Sequence, residues 1–148
     1  MTKNLAETKN LELATFYVGE ALCGINILNI QEINRQFDFT PVPQSENFIK
    51  GVLNLRGKIV TILDLGKKLG LEPVAKNKGN RNIIVNFDDE QIGLLVDRIS
   101  DVIVADSENI DSPPANMGGI QGGVFEGVVK TEKSLIGILN INKVLAID

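Results

Sequence analysis

The sequence has 148 residues and a net charge of −4, with 43% apolar and 23% charged residues, a single Cys and no His. One compact domain is expected at this length, burying about 70% of the surface the unfolded chain exposes. Without His there can be no Ser-His-Asp or Cys-His nucleophile and no His-bearing metal site, and one Cys allows neither an internal disulfide nor a CxxC zinc site. The negative charge argues against a nucleic-acid backbone as partner. These facts predict no enzyme activity, no metal and no cofactor.

The polar amino end, residues 1–10, lacks the apolar core of a signal peptide. No apolar run reaches the ~20 residues of a membrane helix. With the lone Cys23, this predicts a cytoplasmic protein without membrane insertion. Residues 1–11 read as a flexible lead-in to one domain at 12–147. Residues 14–18 are an apolar run of strand length, followed by the turn Gly19-Glu20 and a second apolar run holding Cys23, read as a small buried hydrophobe. After a loop at 34–47, residues 51–55 and 58–64 predict a hairpin across Arg56-Gly57, where Gly supplies a positive φ. A short helical turn is expected at 65–69 and a polar connection at 72–81. Residues 83–87 and 91–96 predict two strands around Asp88-Asp89-Glu90. A longer loop at 103–123 leads to a second hairpin, 124–130 and 134–139, and a helical turn at 141–146.

The two halves match each other. At a spacing of 76, Gly51-Val52-Leu53 faces Gly127-Val128-Val129, and Ile59–Leu65 faces Leu135–Ile141. At a spacing of 69, Gly24 aligns with Gly93, Ile30 with Ile99, and Glu32-Ile33 with Asp101-Val102. Two copies rich in short strands predict two small β-barrels, about 14–71 and 83–147, sharing a core.

Residues 48–60 (Phe-Ile-Lys-Gly-Val-Leu-Asn-Leu-Arg-Gly-Lys-Ile-Val) and 27–33 (Ile-Leu-Asn-Ile-Gln-Glu-Ile) resemble the signature of the CheW family of chemotaxis coupling proteins. Residues 92–99 and 135–145 continue the resemblance in the family's order. It implies an all-β fold of two fused five-stranded barrels with short helices. It also implies a non-enzymatic adaptor between the cytoplasmic tip helices of chemoreceptors and the regulatory domain of the CheA histidine kinase. The family's receptor groove carries over onto Ile27, Ile30, Gly51, Arg56 and Ile99, with Glu32 and Arg56 as a supporting salt bridge. Gly51 would let a receptor backbone approach closely; equally, these isoleucines could be ordinary core and Gly51 could relieve an internal clash. In the loop at 111–117, where the family can carry a bulky aromatic for ring contacts, Met117 is the large apolar residue available. Coupling in another chemosensory pathway, such as pilus motility, is an alternative. A more distant one is a receiver-type phosphoacceptor, because residues 83–90 resemble that fold's opening strand and acidic turn.

Overall fold

The computed structural model describes residues 10–146. The strands are, in chain order, β1 (Asn10–Val18), β2 (Ala21–Asn26), β3 (Ile30–Asn34), β4 (Ile49–Leu55), β5 (Lys58–Asp64), β6 (Arg81–Phe87) and β7 (Glu90–Val96). There follow β8 (Arg98–Asp106), β9 (Ile110–Asp111), β10 (Asn116–Met117), β11 (Ile120–Gln121), β12 (Phe125–Lys130) and β13 (Leu135–Leu139). Two short helices, α1 (Leu65–Lys68) and α2 (Ile141–Ala146), end the two hairpins β4–β5 and β12–β13. None of the described helices is long and apolar enough to cross a membrane. Residues 1–9 of the expected lead-in lie outside the described residues. Its last two, Asn10 and Leu11, are strand, opposite Asp106 and Ala105. Likewise residues 103–106, expected in a loop, extend β8.

The all-β architecture in two main sheets holds, but the sheets are open rather than closed barrels. One has six strands in the order β8-β1-β2-β13-β12-β9, the other five in the order β3-β6-β7-β5-β4. Nor does each half of the sequence make its own sheet. The first hairpin, β1–β2, joins the strands of the second half, and β6–β7 joins those of the first. The register shows the two arrangements to be copies. β2 runs parallel to β13 with Cys23 opposite Gly137, and β7 parallel to β5 with Ile92 opposite Thr61. These are the same pairs under the spacings of 69 and 76. The edges repeat as well: Ile30 faces Val85 as Ile99 faces Phe16, each next to a bulge. The sequence comparison identified equivalent strands; pairing depends on long-range packing, which it did not contain.

This exchange explains the core. Phe16, Val18 and Ile25 of the six-stranded sheet pack in one cluster with Leu63, Ile83 and Leu94 of the five-stranded sheet. Smaller clusters fill the inner face of each sheet: Leu53, Val60, Ile62, Ile84 and Leu95 in one, Leu13, Ala105, Val129 and Ile138 in the other. Alternate residues along a strand therefore serve different cores, as in Ile83 and Ile84. Each fully buried aliphatic side chain contributes about 1.5–3 kcal/mol. Cys23 is buried as expected, and burial raises its thiol pKa to about 12. Met117 also lies in the shared core, so it is a packing residue rather than an exposed contact.

Candidate functional site

The β4–β5 hairpin turns through Arg56 and Gly57, both at positive φ (52° and 86°), with Leu55 opposite Lys58. This two-residue turn matches the twist of its strands. Asn54 Oδ1 accepts a hydrogen bond of 2.9 Å from the Gly57 N–H. The tip carries Arg56 out to 73% side-chain exposure, where its guanidinium donates to Glu32 Oε1. Glu32, on β3, is 21% exposed, and its other oxygen accepts from Asn34 Nδ2 at 3.0 Å.

β3 and β4 are the two edges of the five-stranded sheet. The ion pair therefore spans the sheet's open seam. A second stitch lies along the same seam, where Thr40 and Val52 exchange two backbone hydrogen bonds of 2.9 Å. In the other copy the positions of Glu32 and Arg56 are held by Asp101 and Glu132, both acidic, so no such ion pair can form there. The duplication kept the strands and changed the seam chemistry.

Ile30 and Ile99 occupy matching positions on β3 and β8, the edge strands of the two sheets. Both are half-buried and pack on the shared core from its rim. Ile27 is half-buried in a 3₁₀ turn, Ile27–Asn29, capped by Asn26 Oδ1 accepting from the Leu28 N–H. The turn presents Leu28 at 85% exposure. Sequence reasoning passed over Leu28, since an apolar residue in an apolar segment reads as core; the signal was the Asn26 cap, which takes it off the strand.

Of the two roles expected for Gly51, its surroundings favour the internal one. It is buried, at φ +149°, and a Cβ there would stand 2.6 Å from Thr40 O and 2.9 Å from Phe39 Cβ. The close approach Gly51 permits is that of its own chain, the segment crossing from β3 to β4. The internal-clash reading of this glycine therefore stands. Gly127 repeats the arrangement, with its Cβ position 2.8 Å from Asp111 O.

The receiver alternative fails on connectivity. β6 leads through a tight turn at Asp88 and Asp89, both at positive φ, into antiparallel β7 instead of a helix. The described residues hold no cluster of His, Cys, Asp and Glu arranged to bind a metal.

Three comparisons bear on this architecture. A family model described as CheW-like domain matches residues 12–148. The chain is 32% identical to the chemotaxis protein CheW of Treponema pallidum over 93% of this chain and 84% of that one. It is 33% identical to the CheW of Thermotoga maritima over 97% and 93%. Among solved structures, the scaffolding protein TtCheW of Thermoanaerobacter tengcongensis matches with a TM-score of 0.86 at 31% identity, covering 95% of each chain.

Proposed function

We propose, from the premise that this chain belongs to the CheW-like family, that it couples the cytoplasmic tip helices of chemoreceptors to the regulatory domain of the CheA kinase. The family is one of non-enzymatic chemotaxis scaffolds. In this reading the protein works in the cytoplasm, recruited to receptor arrays at the inner face of the membrane. A receptor helix lies between the edge strands β3 and β8, with Ile27, Ile30 and Ile99 as its apolar contacts and Arg56–Glu32 beside them. Gly51 supports the site from within.

The observation that carries the reading is the matched placement of Ile30 and Ile99. Each is seated on the shared core yet keeps part of its surface open, as a groove for one face of a helix requires. Helix-in-groove contacts draw most of their energy from a few central anchors, ~2 kcal/mol or more each. The fully projecting Leu28 extends the apolar surface without touching the core, so it can be changed without unfolding the protein.

The test is binding of a receptor tip fragment and of the CheA regulatory domain by folded Leu28→Glu, Ile30→Ser and Ile99→Ser variants. Each is expected to lose receptor affinity by about 30-fold while keeping the kinase domain, which binds another face. Folded variants that bind receptor as well as the parent would overturn the groove.

A further inference from the structure

A second concavity lies between the segment that follows β3 and the chain that enters β6. Phe37, Phe39, Val74 and Leu95 wall it, Lys50 and Lys76 stand at its mouth, and it encloses about 210 Å³. Phe37 and Phe39 meet edge to face, their ring centroids 6.1 Å apart at 64°, and Phe37 stays 40% exposed. Neither lysine forms an ion pair among the described residues. The repeat does not account for this chemistry, since the position equivalent to Lys50 in the other copy is Glu126.

Size and charge together narrow the occupant. Pockets for free small molecules run from about 300 to 1,000 Å³. This one is smaller and suits a single large side chain. Its walls are mainly apolar and aromatic, with Asn77 and Asn80 completing the lining, and in such surroundings one buried anchor supplies most of a binding energy. Two unpaired ammonium groups at the rim favour carboxylates beside that anchor and steer an acidic segment toward it.

The geometry points to a peptide-docking pocket that takes one apolar side chain, flanked by acidic residues, from a partner protein. It is separate from the groove proposed above and does not depend on it.

Three blocked five-residue peptides test this on the ¹⁵N-labelled full chain: one Phe between two pairs of Glu, the same with Ala for Phe, and the same with Lys for Glu. The first is expected to shift the amides of Phe37, Phe39, Lys50 and Lys76 saturably, with a Kd below about 1 mM. The other two should bind at least tenfold more weakly. Phe37→Ala and the double variant Lys50→Glu/Lys76→Glu should each weaken the first peptide at least fivefold, and the charge variant should improve the Lys peptide. If the first peptide produces no saturable shift around Phe37, the proposal is wrong. Equal binding of all three peptides refutes it too, as does binding insensitive to both variants.

Discussion

Replacing Gly51 by Ala tests the reading of the seam most sharply. The added methyl cannot be accommodated by a flexible neighbour, because the atom it meets at 2.6 Å is the backbone oxygen of Thr40. Two costs combine. A side chain held in a sparsely populated backbone region costs about 1–3 kcal/mol. Pushing the crossing segment away breaks the pair of hydrogen bonds between Thr40 and Val52, about 0.5–1.5 kcal/mol each. The sum is roughly 2–6 kcal/mol. At about 2–4 °C per kcal/mol for a domain of this size, the melting temperature should fall by about 8–16 °C at the middle of that range. Gly57→Ala is the internal control: it too has positive φ, +86°, but a Cβ there meets nothing within 4 Å. It bears only the conformational cost, about 1–2 kcal/mol. Calorimetry or urea melts on both variants separate the contributions. If Gly51→Ala is no more destabilising than Gly57→Ala, the contact with Thr40 is not what the glycine serves, and its role returns to the surface.

Two further outcomes follow. Arg56→Ala should change stability by only ~0–1 kcal/mol, since the arginine is largely exposed; reversing either charge should weaken receptor binding, and exchanging Glu32 with Arg56 should restore part of it, as measured by pull-down at low and high salt. Cys23 should contribute a pH dependence confined to alkaline solution. Its folded pKa lies near 12, above the ordinary 9.0, so the folded state holds the proton longer than the unfolded one. Stability is then unaffected below about pH 9 and falls between 9 and 12 by up to about 1.4 kcal/mol per pH unit. Urea melts of the parent and Cys23→Ala across this range should converge as pH rises, and parallel curves would contradict the assignment.

The sequence made the local elements readable and left the global pairing dark. The hairpin at 51–64 was legible because alternating apolar residues flank a turn with its own chemistry, Arg56-Gly57. Cys23 was legible because its neighbours on the strand are apolar. Equivalence of Gly24 with Gly93 was plain, but equivalence says nothing about whether β2 lies beside β5 or β13. That choice is made by the shared core, where Phe16 and Ile83 pack together from distant parts of the chain. Gly51 stayed open between two readings for a related reason: a glycine that admits a ligand and one that admits its own backbone look identical in one dimension. The Glu32–Arg56 pair came through because its two members are tied to recognisable elements, though that it spans a sheet seam needed the topology.

The exchanged hairpins also set the order in which the molecule can be completed as it is made. β1 and β2 leave the ribosome well before their sheet partners β8 and β13, which begin at Arg98 and Leu135. At ordinary synthesis rates the gap is on the order of ten seconds. Through that interval Phe16, Cys23 and Ile25 have no finished core to enter, and the edge of β2 that will receive β13 is open to other chains. Meanwhile the five-stranded sheet, drawn from residues 30–96, has all its strands in hand. The middle of the chain can therefore fold as a template on which the early hairpin waits. A nonsense codon before β12 would leave β2 without its parallel partner β13, so that the edge exposed to aggregation is one made early in synthesis.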